Sequence, residues 1–376
     1  MTNEATTPEV EDLTRTTRDA GALREQLERW LAARLPEGCA PRVSELASPS
    51  ATGMSSETLL FDASWEEAGQ HRSGAFVARL APEARDVPVF PDYDLEKQFR
   101  LLDLVRRHGD VPVPHVRWLE RGREALGTPF FVMDRVEGSV PPDIMPYTFG
   151  SWLSDAPAAD RRRLQDATVG VIAALHAIDP QTVDCGFLAF ELPGATPLER
   201  HVENQRRYFA WARKERRHPI LEHAFAWLEE SWPEEEGATV ISWGDSRIGN
   251  VLYRDFLPVA VLDWEMAALG PRELDLGWLV FMHRFFDDIA SGAGFPGMPD
   301  FLKLEDVAAH YASLSSVTPH HLDFYELYAA LRHGIVMTRV HERRVHFGQA
   351  EWPDDPDDVI PHRAALERMM ERPGRP

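Results

Sequence analysis

Residues 1–20 carry Thr and Glu without apolar periodicity, the pattern of a mobile tail. Leu23, Leu27, Trp30 and Leu31 then recur at helical spacing and predict an amphipathic helix ending near Pro36. Arg42 to Leu46, Thr58 to Phe61 and Gly74 to Leu80 read as three strands of an antiparallel meander, followed by a helix from Asp94 to Arg107. Trp118-Leu and Thr128 to Met133 give further strands. After Gly138 the pattern changes. A crossing with Pro141, Pro142, Pro146 and Pro157 precedes helices over Asp160–Ile178, Leu198–Lys214 and Ile220–Trp232. Between Val240 and Trp264 short β-branched runs return, and helices over Glu273–Phe286, Asp306–Ser316 and His320–Phe347 close the pattern. Phe281 to Gly297, rich in Phe, Gly and Asp, reads as a mobile loop, and Asp354 to Asp358 with the tail beyond it as a frayed end.

The stretch from Val240 to Trp264 concentrates the chemistry. A strand leads into the polar loop Trp243 to Gly249, and two short strands follow, the second ending at Asp263. Asp245, Asn250 and Asp263 are thereby delivered to one edge of a small sheet. Two carboxylates and an amide carbonyl are hard oxygen donors suited to Mg²⁺, which takes few protein ligands when phosphate and water supply the rest. One carboxylate is then free to orient or deprotonate a nucleophile. An Asp, an Asn five residues later and a strand-end Asp follow the catalytic-loop and metal-site pattern of protein kinases.

Trp243-Gly-Asp-Ser-Arg-Ile-Gly-Asn250, Asp263-Trp-Glu and Asp275-Leu-Gly resemble the aminoglycoside phosphotransferase and choline kinase family, most closely its bacterial aminoglycoside phosphotransferase subgroup. The resemblance implies an α+β fold of the protein-kinase-like, two-lobe kind: a small antiparallel-sheet lobe over 21–138 and a larger, mainly helical lobe over 139–376. It implies ATP and Mg²⁺ as cofactors, Asp245 as the catalytic base, and Asn250 and Asp263 as metal ligands. Ser48 to Glu57 becomes the phosphate-covering loop, with Gly53 and Ser55. Arg79 stands where the family carries a lysine for the α- and β-phosphates, and Glu96 becomes its partner. Met133 to Gly138 becomes the hinge, with Met133 behind the adenine and the Asp134 carbonyl and Val136 amide on its edge. Asp275 becomes a brace of the catalytic loop. Trp243 replaces a histidine that is mainly a brace in the family.

Composition narrows the partners. The 376 residues carry a formal charge of −21, against a nucleic-acid partner, whose phosphates demand a basic face. No apolar run approaches a membrane span, and the N-terminus lacks a secretory pattern, so a membrane partner is not expected. Two cysteines, Cys39 and Cys185, make no disulfide framework and point to the cytoplasm. The partner implied is a small-molecule hydroxyl acceptor. The acidic balance is compatible with a cationic one, and Asp287, Asp288 and Glu342 are candidates for meeting it. Three readings follow: an aminoglycoside kinase, a kinase of a hydroxy acid, amino alcohol or sugar, and a nucleotide-binding pseudokinase. Oligomeric state is not legible in the pattern.

Overall fold

The computed structural model describes residues 18–48, 56–144 and 146–371. The expected tail therefore lies almost wholly outside the described residues, as do Gly53 and Ser55 of the expected phosphate loop. Helix α1 (Ala20–Ala32) starts where the Asp19 carboxylate accepts the Ala22 amide at 2.7 Å, which satisfies one of the unpaired donors of the first turn. Its apolar stripe covers one face of a five-stranded antiparallel sheet. The strands are β1 (Arg42–Val43), β2 (Glu57–Glu67), β3 (Gln70–Leu80), β4 (Val116–Glu120) and β5 (Phe130–Asp134), in the order β1-β2-β3-β5-β4. The β2–β3 hairpin turns at Ala68-Gly69, both with positive φ, the twist that suits a tight hairpin.

Alternation along β5 divides two cores. Phe130 and Val132 join Leu27, Trp30, Phe61 and Phe76 under α1, whereas Phe131 and Met133 face helix α2 (Leu95–His108). That second core is continuous with the helical body. It runs through α3 (Ala158–His176), α4 (Pro197–Arg213), α5 (Pro219–Glu230), α6 (Glu273–Gly292), α7 (Leu304–Ser315), α8 (Leu322–His346) and α9 (Arg363–Met370). Two short ribbons are embedded in this body: β6 (Thr239–Ser242) paired with β9 (Ala268–Pro271), and β7 (Val251–Arg254) paired with β8 (Leu257–Val261). Among the described residues no helix is long and apolar enough to cross a membrane.

Two expectations are corrected. The loop expected over 281–297 is helical as far as Gly292, because Phe281, Met282, Phe286 and Ala290 continue the buried stripe of α6. The chain leaves the helix only at Ala293, and Gly294 and Gly297 take positive φ. Nor does the acidic run near the C-terminus fray. Asp355 caps a short turn, and the buried Asp357 accepts the Ile220 amide at 2.9 Å beside His218. Leu366 of α9 is fully buried. A carboxylate at the start of α5 is favoured by the unpaired amides there, which explains why acidic residues fold inward.

Candidate active site

The loop after β6 is held from beneath by one buried carboxylate. Asp275, in the first turn of α6, has no solvent exposure and accepts four hydrogen bonds. Its Oδ1 takes Ser242 Oγ and the Gly244 amide, both at 2.9 Å, and its Oδ2 takes the Trp243 amide at 2.8 Å and His176 Nε2 at 3.0 Å. Burial pushes this carboxyl up, but His176 and the Gly244 and Trp243 amides outweigh it and hold it below its ordinary value. Asp275 is therefore the brace that the sequence suggested. Gly244 is required at the bend: its φ is +91°, and an added Cβ would stand 2.3 Å from the Met266 carbonyl oxygen. Arg332 of α8, itself buried, donates to the Gly244 carbonyl at 3.0 Å and stacks over Trp278.

These supports fix Asp245. Trp278 Nε1 donates to its Oδ1 at 2.7 Å, and Asn250 Nδ2 donates to its Oδ2, also at 2.7 Å. Arg247 Nε lies 3.2 Å from Oδ1, while its Nη1 is bound to Asp143 at 2.5 Å. With its amide nitrogen committed to Asp245, Asn250 has its side-chain oxygen Oδ1 left as an acceptor that could meet a cation, its backbone carbonyl being used elsewhere. The two ribbon strands are clipped together here, as the Leu262 amide donates to the Asn250 carbonyl at 2.8 Å. Trp243, wholly buried, donates its indole N–H to the Leu262 carbonyl at 2.9 Å. A tryptophan thus ties the loop of Asp245 to the residue preceding Asp263.

Asp263 follows β8 with a φ of +58°. Arg79 Nη2 donates to its Oδ1 at 3.2 Å, and Arg79 Nη1 donates to Thr58 Oγ1, directly opposite on β2, at 2.9 Å. Burial raises the Asp263 carboxyl above its ordinary value; Arg79 opposes the rise and the charge of Asp245 adds to it. Two carboxylates that repel one another in a buried edge, with an amide oxygen beside them, fit a hard divalent cation. No cluster of three or more His, Cys, Asp or Glu that could hold a metal alone occurs among the described residues.

Arg79, Asn250 and Asp263 line one end of a cleft of about 260 Å³ between the sheet and the helical body. Its walls include Leu60, Val77, Leu102, Phe131 and Met133, and the segment 134–138 forms its rim. The Asp134 side chain is turned to Arg117, at 2.7 and 2.8 Å, so only its backbone is left for a ligand. The Val136 amide has no hydrogen-bond partner among the described residues. An apolar slot with a backbone donor at its rim suits a planar heterocycle.

Glu96 is the site residue that the structure removes. It does not meet Arg79 but forms a two-pronged pair with Arg121, both contacts at 2.7 Å. The reason is helix phase. Leu95, Gln98, Leu101, Leu102 and Val105 make the buried face of α2, and Glu96 falls outside it. Gln98 and Leu102 are the residues of α2 that reach the cleft, Gln98 being the polar one, and that phase was readable from the sequence. Trp278, Arg247, Asp143 and Arg332 were also missed, since nothing local marks them. The three carboxylates suggested for a cationic acceptor are each engaged: Asp287 with the Met298 amide, Asp288 with Arg368, and Glu342 with Lys214 and Arg216. None of them lines the cleft.

Residues 65–300 match the model of a family described as the phosphotransferase enzyme family. Among curated proteins the chain is 24% identical over 265 residues to "Probable acyl-CoA dehydrogenase IBR3" of Arabidopsis thaliana, covering 66% of this chain and 31% of that protein. It is 23% identical over 269 residues to acyl-CoA dehydrogenase family member 10 of Mus musculus, covering 68% and 23%. The chain thus spans a third or less of the length of these curated relatives. Among solved structures, a protein of Ralstonia eutropha JMP134 provisionally named an aminoglycoside phosphotransferase superposes with a TM-score of 0.62 at 23% identity, over 92% of this chain and 96% of that one. At these identities the likeness establishes the fold, which is the two-lobe, kinase-like one that the sequence implied.

Proposed function

We propose, since this chain belongs to the phosphotransferase enzyme family, that it moves the γ-phosphoryl group of ATP to a hydroxyl of a small molecule. The observation that carries the reading is that Asn250, Asp263 and Arg79 line one apolar cleft, with Asp245 bound to Asn250 and fixed by Trp278. Binding of ADP with hygromycin B in one solved relative of the same fold supports the nucleotide (TM-score 0.50, 16% identity, 93% of this chain and 100% of that one).

The roles follow from the chemistry of each group. Adenine enters the slot before Met133, with the Asp134 carbonyl and Val136 amide at its edge. Arg79 meets the α- and β-phosphates with two parallel donors, which a lysine could not offer. Asn250 and Asp263 would hold Mg²⁺, which would neutralise charge on the phosphate oxygens. Asp245 orients the acceptor hydroxyl and takes its proton as the new O–P bond forms and the bond from the γ-phosphorus to the β,γ-bridging oxygen breaks to release ADP; its own hydrogen bonds keep one geometry for that transfer. Positioning and charge neutralisation dominate such reactions. In this reading residues 21–138 form the nucleotide lobe and 139–376 the catalytic and acceptor lobe.

For the acceptor, hygromycin B in the solved relative suggests an aminoglycoside. The ion pairing here favours a hydroxy metabolite without several ammonium groups. Asp143 is matched by Arg247 and Glu326 by Arg284, so a polycation meeting either carboxylate would have to displace the cation it already holds. A panel of aminoglycosides, amino alcohols, sugars and hydroxy acids, assayed for ATP turnover with Mg²⁺ at two salt concentrations, decides between them. We expect turnover with an uncharged or anionic acceptor whose KM is insensitive to salt. A strong aminoglycoside activity whose KM rises with salt would overturn the preference. Nucleotide binding without acceptor-stimulated turnover in any class would favour a pseudokinase.

A further inference from the structure

The cleft holds a charge arrangement that phosphoryl transfer by itself does not require. Arg79 is mostly buried, with 12% of its side chain exposed, and has one carboxylate partner among the described residues, Asp263. Asp263 is as buried, at 11%, and Arg79 is the cation bound to it. Helix α2 could have supplied a second anion for Arg79, but it does not. The polar residue it sends into the cleft, beside the apolar Leu102, is Gln98, only 3% exposed, whose uncharged amide makes no hydrogen bond to any described residue. Glu96 faces away and is taken by Arg121. A guanidinium out of water is held by whatever anion is within reach, and here that anion is the carboxylate assigned above to the divalent cation.

We propose that Arg79 and the divalent cation compete for Asp263, and that Gln98, by leaving Arg79 without another anion, is the residue that makes them compete. This rests on the nucleotide-site reading above. Nucleotide phosphates then serve as the exchange partner: they take Arg79, and Asp263 is released to the cation. Each buried charge keeps a counter-charge throughout. The cation alone binds poorly, the nucleotide makes it bind well, and by reciprocity the cation strengthens the nucleotide to the same degree. Gln98 is thus a positioning residue that acts through Arg79.

The test is direct binding of Mn²⁺, standing in for Mg²⁺, to the full chain without nucleotide, read from the paramagnetic signal of the free ion. Arg79→Met should tighten Mn²⁺ by about tenfold or more, because a charge at 3.2 Å is removed from its ligand. Gln98→Glu, which changes the amide to a carboxylate without altering size, should tighten it comparably by drawing Arg79 away. Gln98→Met, neutral and of similar volume, should bind as wild type. In an Arg79→Met background, Gln98→Glu should add little, since its effect runs through Arg79. Adding AMP-PNP should tighten Mn²⁺ in wild type and much less in Gln98→Glu. Equal Mn²⁺ affinities in wild type, Arg79→Met and Gln98→Glu overturn the competition. Full persistence of the Gln98→Glu effect in the Arg79→Met background overturns the part assigned to Gln98. Should Arg79→Met fail to fold, Gln98→Glu and Gln98→Met carry the test between them. Failure of wild type to bind Mn²⁺ even with AMP-PNP would sink the underlying phosphotransfer reading as well, an outcome distinct from nucleotide-supported binding that Arg79→Met leaves unchanged.

Discussion

Replacing Asp275 by asparagine isolates the brace beneath the loop that carries Asp245. The side chain keeps its shape, but one oxygen becomes an NH₂ group. If the nitrogen takes the Oδ1 position it faces the Gly244 amide; if it takes the Oδ2 position it faces the Trp243 amide. Either orientation sets two donors against each other in a fully buried place. Ser242 can reverse its hydroxyl and His176 can change tautomer, so one backbone bond to a charged acceptor is the irreducible loss. Bonds of this kind contribute about 1.5–3 kcal/mol, and the opposed donor is left unpaired, so we expect about 3 kcal/mol of lost stability. Urea unfolding monitored by two probes, with an unchanged m-value, measures it. The pH dependence gives a second check. Asp275 is held below the ordinary 3.8 of an aspartate, so its contribution is full above that value and is lost as the pH falls through its folded pKa. The wild-type advantage over Asp275→Asn should hold steady from neutral pH to about 5 and shrink below about 4. A difference under about 0.5 kcal/mol at neutral pH would refute the bracing argument.

Three further outcomes follow from the same geometry. Asp245→Asn should lower kcat by about 10³-fold while ATP affinity stays near wild type, since the base meets the acceptor and not the nucleotide; wild-type turnover would remove Asp245 from the mechanism. Calorimetric ATP affinity should fall by at least about tenfold when EDTA replaces Mg²⁺, and equal affinities would argue against a metal at Asn250 and Asp263. Trp278→Phe deletes the 2.7 Å donor to Asp245 and keeps the ring, so kcat should drop by about tenfold or more with KM for ATP unchanged; an unaltered kcat would reduce the indole to packing.

The site was legible where its residues are close in sequence. Asp245, Asn250 and Asp263 are spaced by a loop and a hairpin whose turn and strand signals are local, and Met133 to Gly138 ends a strand with alternating burial. Asp275 was readable for the same reason. Legibility failed where a role depends on packing between distant segments. Arg247 meets Asp143 across 104 positions, and Arg332 reaches Gly244 across 88, and no pattern in either neighbourhood announces the contact. Glu96 was a different failure. The resemblance put a carboxylate opposite Arg79, but helix phase decides which side chain of α2 enters the cleft. The 281–297 stretch misled because Gly and Asp near its end suggested a loop, whereas the spacing of Phe281, Phe286 and Ala290 carried the helix onward. The acidic run near Asp357 read as a frayed end, and only the amides at the start of α5 explain its burial.

The backbone of Asp263 bears on how such a chain can change over evolutionary time. A φ of +58° is tolerated by Gly, Asn and Asp and by few other residues. The proposed metal site asks for a carboxylate, which Asp and Glu both carry. Aspartate alone meets the two demands together, so lengthening the side chain to glutamate would keep the charge and strain the turn. The reverse exchanges, to asparagine or glycine, would spare the turn and discard the ligand, and they would also relieve the repulsion from Asp245. A lineage could therefore fall silent at this one position while its fold, its apolar slot and even its stability survived. Descendants of that kind would be hard to distinguish from active kinases by shape, and the identity of a single residue just past β8 would tell them apart.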